Sequence, residues 1–430
     1  MRVLSIALSL LLVPAAAHAL QPEVLWRDEF PDCPGSGFVH LAPVQNEEDT
    51  ALLVVRTPKR WSLYEVKGSK VSHLGDADLA TPRSTEVTGA RYYPDRNELL
   101  VTAVIEEEGE GPSGGVLAVR IGRDGVNVRR FPGAYVHAIP RPDGTILALL
   151  HEGHEYVEDE GVHRHRLTLV RLHPDGRAER LVTFDVPSTL PPSALLTPGT
   201  LRIEPLSDDD YLITGSGLVS MVELRRTASG WETGYYGPPN YGAKVTYYLE
   251  ESTVLDPGKR LVLVRQSNVN NPLEGYWAIC ELAPESGLGG PVLKEVRRVN
   301  LGTGNLRLLQ SGIKLEVCGS TYYVVPAADA SSTKLLVLGP DTVQVWEVPG
   351  FRELAVTPRL YGVRVSEMRT GGCAIEVCTF KPSRGEEWLT PLFGGTEEGG
   401  ERGEHRENQG GRITIVPIPP VIPPGRPRRA

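Results

Sequence analysis

After one apolar stretch near its start, the chain has no run that approaches the ~20 apolar residues a membrane-spanning helix needs. Excess positive charge is also missing: 45 Lys and Arg stand against 54 Asp and Glu, a formal net charge of −9. That balance disfavours a general nucleic-acid role, which depends on a basic face. Cysteine is scarce, and Cys33, Cys280, Cys318, Cys373 and Cys378 show no C-x-x-C spacing of a metal knuckle or redox site. Their odd number leaves at least one thiol unpaired or bonded to another molecule. Amphipathic helices of ten residues are absent. So are a Gly-x-Ser-x-Gly elbow, a P-loop, a dinucleotide fingerprint and any Ser/His/Asp set that spacing could assemble. No catalytic residue is assigned.

The apolar stretch itself, Val3 to Val13, follows Met1-Arg2 and precedes Pro14-Ala-Ala-Ala17-His-Ala19. One positive charge, a short apolar core and small residues at 17 and 19 read as a secretory signal over 1–19, with cleavage after Ala19. The expected location is periplasmic or secreted. Loss of Arg2 moves the formal charge from −9 to −10.

What the chain does have is one pattern repeated seven times. Short apolar runs follow turn formers such as Pro142-Asp-Gly144 or Asp256-Pro-Gly258. They are Leu52-Leu-Val-Val55, Leu99-Leu-Val101, Ile146-Leu-Ala-Leu149, Tyr211-Leu-Ile213, Leu261-Val-Leu-Val264, Tyr322-Tyr-Val-Val325 and Tyr361-Gly-Val363. Their first residues are 47, 47, 65, 50, 61 and 39 positions apart, the length of a four-stranded unit with variable loops. Each run has a strand before it and two after it, the last two often joined by a tight turn such as Arg123-Asp-Gly125. The sixth unit would combine Leu306 to Leu309, Tyr322 to Val325, Lys334 to Leu338 and Val343 to Val348. The seventh would combine Leu354 to Thr357, Tyr361 to Val363, Cys373 to Phe380 and Trp388 to Phe393. Forty-six glycines and thirty-six prolines suit a chain that turns this often. The expected fold is all-β, a seven-bladed β-propeller over 20–393, with six or eight blades, a sandwich pair or a β-helix as alternatives. Glu23 to Phe30 is the candidate to pair with the last blade and close the ring.

One unit carries a resemblance. Arg141-Pro-Asp-Gly-Thr-Ile-Leu-Ala-Leu149 followed by Leu172-His-Pro-Asp-Gly-Arg-Ala-Glu-Arg-Leu181 resembles a blade of the gluconolactonase-like extracellular propellers. It covers about 45 residues and implies the fold, not an activity. From 394 the chain turns to Gly, Glu and Arg, then to a proline-rich end. This tail, 394–430, reads as disordered, with an extended peptide ligand as the other reading.

Strand parity puts second-to-third loops and inter-blade links on one face. That face receives Glu106 to Gly115, His151 to Arg164, Val186 to Thr200, Gly237 to Lys244 and Ser267 to Gly275, and long loops on a rigid scaffold are where binding resides. Six of the ten histidines lie between His137 and His173. Among them His151, His154, His163 and His165 are candidate zinc or copper ligands, with a solvated polar hairpin as the alternative. Tyr235, Tyr236, Tyr241, Lys244, Asn268 and Asn270 are candidate ligand-binding residues, although packing between blades explains the tyrosines too. The function expected is a monomeric, non-enzymatic propeller that binds a protein or glycan on this face. The alternative is a hydrolase or lyase, with or without metal, at the mouth of the central channel.

Overall fold

A computed structural model describes residues 22–380 apart from 48, 80–83, 107–113, 198, 239–244, 284–291, 300–304, 309–312, 318–319, 327–333, 339–342, 348–351 and 354–359. Strands dominate it. The longest helix among the described residues is the four-residue Pro192–Leu195. Five meanders follow one another along the chain, each pairing its four strands antiparallel in sequence order. Sheet 1 is Val39–Pro43, Thr50–Arg56, Arg60–Lys67 and Lys70–Asp78, and sheet 2 is Ser84–Tyr93, Glu98–Glu106, Gly114–Gly122 and Gly125–Pro132. Sheet 3 is Tyr135–Pro140, Ile146–Val157, Val162–Leu172 and Ala178–Ser188, and sheet 4 is Leu201–Pro205, Asp210–Gly215, Met221–Thr227 and Gly230–Tyr236. Sheet 5 is Tyr247–Asp256, Leu261–Asn268, Asn271–Ala283 and Val292–Val299.

The apolar runs are the second strands of these sheets, and their position explains their composition. Every residue of Thr50–Arg56 is buried, because a mid-sheet strand is covered on both faces by the neighbouring sheets and needs no alternation. The fourth strand Gly125–Pro132 instead alternates half-buried and exposed along most of its length, as an outer strand with one wet face must. First strands of sheets 1 to 4 touch in succession, and sheet 5 follows on sheet 4. Leu149 and Leu167 of sheet 3, Leu201 and Ile213 of sheet 4, and Val262 of sheet 5 share one apolar core. Radial four-stranded sheets with inner first strands are the architecture of a β-propeller.

The last two sheets depart from sequence order. Sheet 6 pairs Asn305–Leu308, Lys334–Leu338, Val343–Glu347 and Arg352–Glu353. Sheet 7 has five strands, Ile313–Val317, Ser320–Pro326, Leu360–Glu367, Cys373–Phe380 and the N-terminal Pro22–Phe30. The expected sixth unit is therefore wrong in its second strand, since Ser320–Pro326 pairs with Leu360–Glu367. A hairpin precedes that strand, Ile313–Val317 against Ser320–Pro326. A two-strand unit closed by its own turn can dock away from its chain neighbours, and turn signals do not say where. Leu354 to Thr357 and Trp388 to Phe393 lie outside the described residues.

The expected closing strand does pair with the last sheet. Pro22–Phe30 runs antiparallel to Cys373–Phe380, with Phe30 opposite Cys373. A disulfide between Cys33 and Cys373, 340 residues apart in sequence, fastens the same seam. Trp26 and Phe30 then pack on Tyr64 of sheet 1, with ring centres 5.3 and 6.2 Å away. Cys280 and Cys378 are free and buried.

Candidate functional site

Sheet 3 carries the long hairpin of the loop-rich face. The segment from His151 to Arg164 is not an irregular loop, since its two strands continue to Val157 and from Val162. Pairing across it places His154 opposite His165 and Tyr156 opposite His163. A bulge between His151 and Gly153 adds one residue on one strand, which brings His151 to the same side as His154 despite their spacing of three. All four imidazoles that the spacing singled out thus share one side. Ring centres of His165 lie 5.9 Å from His151, 6.0 Å from His154 and 6.0 Å from His163, and His154 lies 6.3 Å from His163. His151 and His165 are buried, His163 is half-buried and His154 is exposed. Burial holds His151 below its ordinary pKa and brings His165 down to about 4, so both rings are neutral near pH 7. As they stand, no three His, Cys, Asp or Glu side chains among the described residues are disposed to hold a metal ion.

The link to sheet 4 anchors this hairpin. His165 Nε2 lies 3.2 Å from the Leu190 carbonyl. Thr189 N and Ser188 Oγ both donate to the Gly217 carbonyl, at 2.9 and 2.8 Å. Gly217 has φ +69°, and a Cβ there would stand 2.4 Å from Leu190 Cγ, so only glycine fits this crossing. Leu218 bridges to Leu249 at the start of sheet 5, and Val245 N donates to the Glu160 carbonyl at the hairpin tip. Sheets 3, 4 and 5 therefore share one continuous surface at this end.

The tyrosine and asparagine candidates divide. Tyr235 is 39% exposed, beside Asp185 of sheet 3. Tyr236 is 4% exposed and is a structural residue. Its hydroxyl donates to Glu223 Oε2 at 2.7 Å and accepts from Arg260 Nη2 at 3.2 Å. Arg260 holds Glu223 through two nitrogens at 3.0 and 2.8 Å. Strand alternation sends one of two adjacent tyrosines outward and the other in, which corrects the binding role expected for Tyr236. The expected loop from Ser267 to Gly275 is a tight turn instead, because the third strand begins at Asn271. Asn268 Oδ1 accepts from Asn270 N at 2.9 Å and so closes that turn, leaving Asn270 exposed. Tyr241 and Lys244 lie outside the described residues.

A second cluster escaped the reading of the sequence. Glu86, His137 and Arg202 come from the first strands of sheets 2, 3 and 4. His137 Nδ1 accepts from Ile203 N at 3.3 Å, and Arg202 Nη2 donates to the Ser252 carbonyl at 2.7 Å. The Glu86 carboxyl lies against Gly199, where a Cβ would stand 2.5 Å from Oε1. Burial pushes Glu86 up to about 7, opposed by the Arg202 charge, and brings His137 down to about 3. The three positions are 51 and 65 residues apart, and no local pattern joins them.

No family model matches the chain, and no curated protein matches it. Among solved structures it is similar to a candidate 6-phosphogluconolactonase from Bacteroides fragilis, with 11% identity over 80% of this chain and 93% of that one, TM-score 0.39. It is similar also to the β-propeller domain of the Trilobed protease from Pyrococcus furiosus, 10% identical over 80% and 97%, TM-score 0.37. A functionally unknown protein from Desulfotomaculum acetoxidans is 12% identical over 79% and 88%, TM-score 0.37. Likenesses at this level carry no argument about function.

Proposed function

We infer that this chain is an exported seven-bladed propeller that binds a protein or glycan partner, without catalysis, through the loop-rich face of sheets 3 to 5. Seven sheets among the described residues, the first five of them four-stranded meanders that follow one another along the chain, support the blade count. The Cys33–Cys373 bond supports export, since structural disulfides persist in oxidising compartments. One observation carries the binding role. Tyr156, Tyr235 and Tyr247 are 58, 39 and 37% exposed, and each lies at a strand end that opens on this face. Such rings combine apolar area with a polar tip and dominate interface energetics. A glycan array and a displayed peptide library, probed with the chain and with Y156A/Y235A/Y247A, test it. Binding lost in the variant at unchanged Tm supports the reading. Binding that survives there but falls on substitution of Arg123 and Asp124, on the opposite turns, refutes it.

A second reading rests on Glu86, His137 and Arg202. A carboxyl raised to about 7 suits a general acid at neutral pH, which fits a hydrolase or lyase at the channel mouth. Turnover of a panel of chromogenic esters, glycosides and lactones that disappears in Glu86→Gln would favour it over simple binding.

A further inference from the structure

Among the described residues, five of the eleven buried side-chain polar atoms without a partner stand at one junction, between sheets 1 and 2. They are His40 Nε2, Arg56 Nε and Nη1, Trp61 Nε1 and Thr85 Oγ1. Arg56 lies opposite Trp61 across the hairpin of sheet 1, and directly paired residues point to one side. His40 lies opposite Val54, two residues before Arg56, and so shares that side. Trp61 and Val54 pack there with Ala103 and Ile105 of sheet 2, and Thr85 lies opposite Ile105. Charge sets this cluster apart. Arg56 is 2% exposed and Trp61 0%. The guanidinium makes one hydrogen bond, from Nη2 to the Gly37 carbonyl at 2.6 Å, and stands 5.0 Å from the centre of the Phe38 ring. The neighbouring turn is occupied with itself, because Thr57 Oγ1 accepts from Arg60 N at 3.2 Å and donates to the Arg60 carbonyl at 3.1 Å. Burial alone brings Arg56 down to about 10, with no carboxylate among the described residues to oppose it. A cation held this deep without a counter-charge is strongly destabilising.

We propose that Arg56 and Trp61 hold one small monovalent anion of halide size between sheets 1 and 2, with His40 and Thr85 beside it. One unopposed positive charge calls for one negative charge, and the indole N–H of Trp61 adds a donor that is otherwise unused. A doubly charged sulfate or phosphate would leave a charge in excess and lose more hydration among Val54, Leu63 and Ala103. His40 adds no second cation, since burial and then the Arg56 charge bring it down to about 3. Exposed Pro58 is two residues from Arg56, which leaves a short path to solvent at the second-to-third turn of sheet 1. The ion is structural, and its site is separate from the tyrosines of sheets 3 to 5.

The test is a series of thermal melts at fixed ionic strength, in which sodium gluconate is replaced stepwise by sodium chloride or bromide. Tm should rise with either halide and then level off, as binding to the folded state alone requires. Crystals grown in bromide should give an anomalous peak beside Arg56 and Trp61. Arg56→Met, which keeps the bulk and removes the charge, should abolish the halide dependence. Trp61→Phe, which removes only the indole donor, should shift the halide midpoint about tenfold or more upward, and it decides alone if Arg56→Met fails to fold. Arg123→Ala, at an exposed turn of sheet 2, should respond as the parent does. A Tm that ignores halide at fixed ionic strength, or the parent's dependence in either folded variant, overturns the proposal.

Discussion

The seam between sheets 7 and 1 and the junction between sheets 3 and 4 hold neighbouring sheets together by opposite means. At the seam a covalent bond and an aromatic cluster of Trp26, Phe30 and Tyr64 close the fold. At the junction an apolar core extends outward into imidazoles, carbonyls and a glycine crossing. The seam contributes stability through a covalent bond and aromatic packing. Buried polar atoms without a partner occur on both sides of the comparison: His151, His163 and His165 at the head of the junction, and His40, Arg56 and Trp61 in sheet 1.

Breaking the seam should give the largest effect. Cys33→Ser should destabilise the fold by about 2–5 kcal/mol, read as a lower urea midpoint, with binding at the loop-rich face unchanged in protein that remains folded. Acid should act next. The native state holds His40 and His137 neutral, at about 3 each, whereas the unfolded chain takes up their protons near 6.5. Stability is therefore complete above about 6.5 and falls as pH drops towards 3, by up to about 1.4 kcal/mol per pH unit for each histidine. Urea midpoints at pH 7 and pH 5 measure this, and His137→Gln should flatten the slope. A slope that is unchanged would remove His137 from the account.

Smaller effects sharpen the contrast between the two tyrosines. Tyr236→Phe removes the hydroxyl bonded to buried Glu223 and should cost about 1–3 kcal/mol with no change in surface binding. Tyr156→Ala, at an exposed ring, should shift stability by no more than ~0.5 kcal/mol and act on binding alone. Thermal melts of both variants, followed by the array of partners, decide whether the tyrosines separate into core and surface as the structure has it.

Local chemistry made most of the fold legible. Pro142-Asp-Gly144 announces a turn, and Asp143 Oδ1 does accept from Thr145 N at 2.9 Å before Ile146 begins a strand. Apolar runs were readable because mid-sheet strands are covered on both faces. Legibility ended where a decision was non-local. Ile313–Val317 with Ser320–Pro326 looks the same from sequence whichever sheet receives it. Tyr235 and Tyr236 differ only in the sense of an alternation whose phase the neighbours set. The four histidines could be grouped because a hairpin is local, yet their common side depends on the bulge at Glu152-Gly153. Glu86, His137 and Arg202 meet only because three first strands share a centre.

Sheet 7 also imposes an order in time. Its outer strand, Pro22–Phe30, emerges from the ribosome before any other described strand, and its partner, Cys373–Phe380, emerges after all the others. The earliest segment must therefore stay unpaired, its strand edge available, while sheets 1 to 5 are completed around their own local turns. Its Cys33 can meet Cys373 only when synthesis of the described fold is finished. A product cut short before Cys373 lacks both the pairing and the bond, and it keeps an open strand edge.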